Sequence, residues 1–350
     1  MVKLIPPLEP IRPQMEQVER LLHDTLAKVE EPIRAKLHYS LDGGKRLRPA
    51  LVILTGQMFI PTAEPFYRLA AAVDMLHTAT LIHDDLLDEA PFRRGRETLH
   101  TIWPAGATVL AGDYLLGQAI SLIAGLEHHR IFKVFGDTIC TLCAGEIGRM
   151  VAQGERGRQD YYRAIEAKTA SLFAASTEMA GILAGAEETQ ITTLRRFGRE
   201  LGMAFQIVDD VLDFIGDEAQ LGKPAGNDFR QGLITLPILY YLEKVADDDP
   251  VYAVLSGQQD DEEHLQAAIE AVRSSGAIEV SLAEARVYTR RGQEALAILP
   301  GNPARQMLCS LADYVVERKR ENSTMGEGLP TELFSPRSET FGDRERERKR

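Results

Sequence analysis

Cysteine is scarce in this chain: three among 350 residues, an odd number that cannot close into a disulfide framework. That scarcity, with no signal-type apolar stretch at the N-terminus, points to a reducing cytoplasm. Cys140-x-x-Cys143 has no second cysteine pair to complete a zinc site. It lies among apolar helix-forming residues, so both thiols are expected to be small buried packing groups. Positive charge is also in deficit. Acidic residues number 52 against 40 basic ones, for a formal net charge of −12, which excludes a basic nucleic-acid-binding surface. The nucleotide loop G-x-x-x-x-G-K-[ST] is absent, and no Ser-His-Asp or Cys-His arrangement suggests a covalent nucleophile. No uninterrupted apolar run reaches membrane-span length, because Asp74, His77 and the aspartates after them break the best candidate, so no transmembrane segment is expected.

Strand-like alternation is missing too. Long helical periodicities, as in Thr192 to Ile215, predict an all-α fold, and a chain of this length can bury one large core. Residues 1–322 read as one domain, punctuated at Pro61, at Lys223-Pro224-Ala225-Gly226 and at Pro300-Gly301. From 323 to 350 the composition turns to Gly, Pro, Ser, Thr and mixed charge, ending in Arg344-Glu345-Arg346-Glu347-Arg348-Lys349-Arg350. This segment has no core-forming pattern and is expected to be a disordered tail.

What the chain does have is an acidic pattern that occurs twice. Asp84-Asp85-Leu86-Leu87-Asp88 and Asp209-Asp210-Val211-Leu212-Asp213 are both set in apolar, helix-compatible sequence. Residues four apart share a helix face, so Asp84 projects with Asp88 and Asp209 with Asp213. Aspartate is a poor mid-helix residue, and carboxylates among Leu, Ile and Val are costly to bury without a partner. Two such clusters make sense around something strongly cationic. Hard oxygen donors without matching Cys or His favour magnesium, which shares its coordination sphere with substrate phosphates. Compact basic groups complete a diphosphate site: Gly43-Gly44-Lys45-Arg46-Leu47-Arg48-Pro49, Arg93-Arg94-Gly95, Lys168-Thr169 with Gln206, and Lys223. Lysine offers a point charge and arginine a bidentate fork for phosphate oxygens.

The ordered segments GGKRLRP, HTATLIHDDLLDEAPFRRG, AKTASLF, FQIVDDVLDFIGD and LGKPAGNDFRQGLITLP resemble the trans-prenyltransferases, the (all-E) isoprenyl diphosphate synthases. The match runs in family order from about Arg34 to Leu242, with weaker helical similarity to about Arg320. The resemblance implies an isoprenoid synthase fold, a helical bundle in which two acidic helices face each other across a deep central cavity. It also implies head-to-tail condensation of isopentenyl diphosphate with an allylic diphosphate by a homodimeric enzyme.

By the same resemblance, Asp84, Asp88 and Asp209 would ligate Mg2+, with Asp85, Asp210 and Asp213 in support. Arg93, Lys168, Thr169, Gln206 and Lys223 would hold the allylic diphosphate. Gly44, Lys45, Arg48, His77 and Arg94 would bind isopentenyl diphosphate. Lys168 and Lys223 would act with Asp84, Asp88 and Asp209 in ionising the allylic bond. One departure stands out. Many members carry Glu-Gly-Lys before the Thr-Leu-Pro segment, whereas Gln231-Gly232-Leu233 stand here, so a second lysine is missing. Small residues at Thr80 and Ala79, four and five positions before Asp84, lie roughly 5–8 Å along a helix from it. They would leave the product tunnel open and predict a long-chain product; an aromatic plug below Ala79 would instead give farnesyl or geranylgeranyl diphosphate. A non-catalytic subunit of a heteromer is the third reading, disfavoured by the intact acidic and basic groups.

Overall fold

The computed structural model describes residues 4–93, 95–151, 157–215, 226–246, 249–255 and 261–318. The chain folds as a stack of α-helices, as the periodicity predicts. The sheet among the described residues is one hairpin pairing Phe92–Arg93 with Arg96–Glu97. Arg94, Lys223 and the 323–350 tail lie outside the described residues.

Helices α1 (Arg12–Thr25), α2 (Ile33–Leu41), α3 (Leu47–Gln57) and α4 (Glu64–Leu87) open the fold, followed by the short α5 (Leu99–Ile102). Then come α6 (Ala105–Ala124), α7 (His129–Val151), α8 (Arg158–Ile165), α9 (Ser171–Leu183) and α10 (Glu188–Ile215). The C-terminal part adds α11 (Asn227–Arg230), α12 (Leu236–Leu242), α13 (Pro250–Leu255), α14 (Glu262–Ser274), α15 (Ala277–Leu296) and α16 (Pro303–Glu317). Pro65 starts α4, where its missing N–H costs no hydrogen bond. From Leu69 to Leu76 every α4 residue is buried, the pattern of a helix surrounded by others. It packs on α1, α3, α6 and α9, while α10 packs on α9, α15 and α16. The two acidic helices therefore share α9 as a common neighbour.

The α9–α10 crossing is unusually close, and glycine permits it. A Cβ on Gly198 would lie 2.5 Å from the Phe173 carbonyl oxygen, and one on Gly202 would lie 2.6 Å from Ala170 Cα. Glycine at two points one turn apart lets the backbones approach further than side chains would allow. Between α8 and α9 the helix widens into a π-type turn, Glu166–Ala170. Such turns recur at functional sites because they re-aim side chains out of the α-helical register. Here the turn carries Lys168 and Thr169.

A buried ionic knot fixes the first basic segment. Arg46 adopts a left-handed backbone conformation, φ 52°, and its guanidinium turns inward to Asp74 of α4 (2.6 Å) and to Glu19 of α1. That places Lys45 on the exposed side of the turn and Arg48 in the interior of α3.

One expectation is corrected by the fold. Cys140 and Cys143 are exposed on α7, not buried, and Cys309 is partly buried; none forms a disulfide. The apolar neighbours that suggested burial belong to an outward face. Among the described helices, α6 is long and apolar enough to cross a membrane by length and composition alone. It carries Asp113, and one side of it packs on α4.

Candidate active site

Both acidic motifs occupy the C-terminal ends of their helices. Helix α4 ends at Leu87 with Asp88 as its C-cap, α10 ends at Ile215, and neither has a basic residue in its last turn. A helix C-terminus is the negative end of the helix dipole, so added carboxylates there are electrostatically unfavourable. The compensating cations come from other elements. Lys168 Nζ lies 3.1 Å from Asp84 and 3.2 Å from Glu146 of α7. Arg93, delivered by the hairpin that follows α4, reaches Asp85 at 2.5 Å. Arg149 of α7 lies 3.0 Å from Asp88, and Arg318, just past α16, lies 2.7 Å from Asp209.

The pKa directions follow from this arrangement. Burial pushes Asp84 and Asp85 above the usual carboxylate range even with Lys168 and Arg93 beside them. Burial also acts against the charge on Lys168, but Asp84 and Glu146 outweigh it and hold the ammonium more firmly protonated. In Glu146, burial is overcome by Arg149 and Lys168, and the carboxyl is held below its ordinary value.

The second motif is anchored differently. Asp210 is buried and pushed up to about 8 by that burial, and its two oxygens accept from the Tyr161 hydroxyl (2.5 Å) and the Gln206 amide (2.8 Å). Gln206 Oε1 in turn accepts from the Thr169 hydroxyl at 2.6 Å. Asp213 Oδ2 accepts the Asp228 N–H at 3.0 Å, tying the end of α10 to the start of α11.

These contacts join into one polar path. It runs from Asp84 to Lys168, across the π turn to Thr169, and through Gln206 to Asp210. The structure thus brings together both acidic motifs and three residues the sequence placed on one diphosphate. Arg48 enters the same region through α9, with its guanidinium carbon 4.5 Å from the centre of the Phe173 ring. His77 and Gly44 are partly buried, Lys45 is exposed, and Ala79 is buried. Thr80 is partly buried, its hydroxyl donating to the His77 carbonyl at 2.8 Å.

Sequence reading missed Glu146, Arg149, Tyr161 and Arg318. Glu146 and Arg149, charged residues interrupting an apolar helix, were the visible signal; Tyr161 and Arg318 gave none. Among the described residues no three His, Cys, Asp or Glu side chains converge as a ready-made metal cage. Each acidic group of the first motif is turned to a cation instead. The donor set itself is carboxylate oxygen alone, which fits a hard dication such as magnesium better than a soft metal.

The profile for the polyprenyl synthetase family matches residues 30–272. The chain belongs to the polyprenyl synthetase family. Members use isopentenyl diphosphate and an allylic diphosphate as substrates. Among characterised relatives, a heptaprenyl diphosphate synthase component 2 from Geobacillus stearothermophilus is 37% identical over 87% of this chain and 99% of its own. A nonaprenyl diphosphate synthase from Mycobacterium tuberculosis is 34% identical over 88% of this chain and 93% of its own. Among solved structures, a polyprenyl synthase from Caulobacter crescentus, complexed with calcium and isoprenyl diphosphate, superposes with a TM-score of 0.83. It is 33% identical and covers 89% of this chain and 96% of its own. The all-α isoprenoid synthase fold is thus that of this chain.

Proposed function

We propose that this polyprenyl synthetase is a magnesium-dependent enzyme that adds isopentenyl diphosphate repeatedly to an allylic diphosphate, giving a long-chain (all-E) polyprenyl diphosphate. The observation that carries this reading is the polar path from Asp84 to Asp210 through Lys168, Thr169 and Gln206. It ties two carboxylate clusters to donors able to hold a diphosphate between them.

Asp84, Asp88 and Asp209 would hold magnesium shared with the diphosphate, supported by Asp85, Asp210 and Asp213. Bound there, the metal supplies Lewis-acid charge to the leaving group. Lys168, Arg93, Thr169 and Gln206 orient the allylic diphosphate and take up the charge that develops as its carbon–oxygen bond ionises, an electrostatic role that needs no covalent nucleophile. Lys223 is assigned the same role on sequence grounds. Gly44, Lys45, Arg48, His77 and Arg94 hold isopentenyl diphosphate so that its double bond meets the allylic cation. Loss of a proton then restores an allylic diphosphate for the next cycle. The surrounding buried Leu, Ile and Ala residues keep water from the cation. A long product is supported by the small Ala79 and Thr80 and by the heptaprenyl and nonaprenyl names of the relatives.

A homodimer is supported by one face of the molecule. Leu110 and Ile120 on α6, and Phe132, Cys140, Cys143, Ile147 and Met150 on α7, are all exposed, Leu110 at 67% and Ile147 at 60%, and the last four recur at three- and four-residue spacing. Apolar surface of that extent marks an interaction site, and a second copy packing the same face against itself covers it with two-fold symmetry. The name "component 2" of the Geobacillus relative favours a second reading, a catalytic subunit that works with a different partner. The free thiols fit a cytoplasmic enzyme.

The test is incorporation of labelled isopentenyl diphosphate by the purified chain, with sedimentation velocity in parallel. Magnesium-dependent incorporation by a dimer, lost on chelation and in Asp84→Asn, is expected. Incorporation that survives chelation, or that appears only after a second protein is added, contradicts the magnesium-dependent homodimer.

A further inference from the structure

Arg149 is a cation that neither the acidic motifs nor the basic segments placed in this site. Its Nε donates to Glu146 Oε1 at 2.7 Å, and its Nη2 lies 3.0 Å from Asp88 Oδ1. The other Glu146 oxygen, Oε2, is 3.2 Å from Lys168 Nζ, which in turn lies 3.1 Å from Asp84. Glu146 therefore spans two cations and presents them to the two aspartates that share one face of α4. Arg149 is 24% exposed at its side chain and Glu146 14%, so the pair sits partly shielded beside the motif.

The helical geometry makes this pairing a device. Glu146 and Arg149 are three apart on α7 and hold each other on one face. A guanidinium has a rigid planar fork, and with both Nε and Nη2 donating to Glu146 Oε1 its Nη2 edge is held in one place. Now that edge meets Asp88. Asp88 is also a carboxylate that a metal would claim, and an ion-paired carboxylate gives up its cation only for a better one.

We propose that Arg149 is a diphosphate-binding residue that stands in for metal charge on Asp88 and passes to the diphosphate when metal and diphosphate bind together. In the unliganded protein Arg149 occupies Asp88 and opposes metal binding. With diphosphate present, Asp88 turns to the metal, and the guanidinium edge it leaves takes a diphosphate oxygen. Glu146 keeps Arg149 in place throughout. Metal and diphosphate thereby favour each other's binding beyond their direct attraction, as reciprocal coupling requires. This inference rests on the diphosphate-and-magnesium reading of the site.

Calorimetric titration of the full-length protein with Mg2+ alone, and with inorganic pyrophosphate at saturating Mg2+, tests it in the wild type, Arg149→Gln and Arg149→Lys. For Arg149→Gln, Mg2+ alone should bind several-fold tighter, and pyrophosphate about tenfold weaker, the scale of one charge-assisted hydrogen bond. Arg149→Lys, which keeps the charge without the fork, should recover part of the pyrophosphate affinity. Circular dichroism and the unfolding midpoint confirm that the variants are folded; should Arg149→Gln not fold, Arg149→Lys alone must still bind pyrophosphate measurably weaker than wild type. Unchanged pyrophosphate affinity in folded variants, with normal binding by the wild type, overturns the role of Arg149 alone. Absence of magnesium-dependent pyrophosphate binding in the wild type overturns the reading of the site and this inference with it.

Discussion

The Thr169 hydroxyl donates to Gln206 Oε1 at 2.6 Å, closing the gap between the π turn and the second acidic helix. On one side of this bond lies Lys168 with Asp84, and on the other Asp210 with Tyr161. Two motifs more than a hundred residues apart in sequence thus share a single hydrogen-bonded frame.

Removing the cation at the centre of the frame should stop the chemistry. Lys168→Ala leaves Asp84 and Glu146 facing each other without the ammonium between them. It also removes a donor from the diphosphate. We expect turnover to fall by about a hundredfold or more, the size seen when a preorganised electrostatic donor is lost. Steady-state kinetics with a fixed primer measures it, and a loss below tenfold would remove Lys168 from the machinery.

Arg46 should matter for stability instead. Its partners Asp74 and Glu19 are buried or nearly so, and taking away one member of such a network leaves charges without compensation. Arg46→Ala should cost about 3–5 kcal/mol in urea unfolding. Turnover per folded molecule should stay within a few-fold of wild type, because the guanidinium points away from Lys45. Loss of activity without loss of stability would assign Arg46 to substrate.

The close helix crossing links packing to function. Gly198→Ala puts a methyl 2.5 Å from the Phe173 carbonyl oxygen, so α9 and α10 must part. Overpacking of this kind costs about 1–3 kcal/mol. The shift should also stretch the Thr169–Gln206 bond about two turns further along α10 and raise KM for the allylic substrate. A thermal melt and a KM measurement check both halves; a destabilised enzyme with unaltered KM would show that the crossing and the site are uncoupled.

On the proposed reading, Ala79 sets product length. It is buried on α4, and Ala79→Phe should shorten the product while the first condensation proceeds. Chromatography of dephosphorylated products reads the change, and an unaltered distribution would show that residue 79 does not line the tunnel.

How much of this was legible beforehand depends on distance along the chain. The all-α fold and the shared faces of Asp84 with Asp88 and Asp209 with Asp213 follow from local helical spacing. The partners of those aspartates do not. Arg149 lies 61 residues from Asp88 and Tyr161 lies 49 from Asp210, and no local pattern records such pairings. The π turn at Glu166–Ala170 was equally hidden, since ordinary helical sequence flanks it on both sides. Cys140 and Cys143 were misplaced because periodicity reports an apolar face without saying whether the chain's own core or another molecule covers it. Helix α6 shows the same ambiguity: its apolar residues serve α4 on one side and solvent on the other.

The most direct test of the central claim is the chain length of the product. Purified protein, Mg2+, farnesyl diphosphate and labelled isopentenyl diphosphate are combined, and the products are resolved by mass spectrometry, with geranyl and dimethylallyl primers alongside. Polyprenyl diphosphates well beyond twenty carbons are the predicted result. Accumulation at fifteen or twenty carbons with every primer would contradict it.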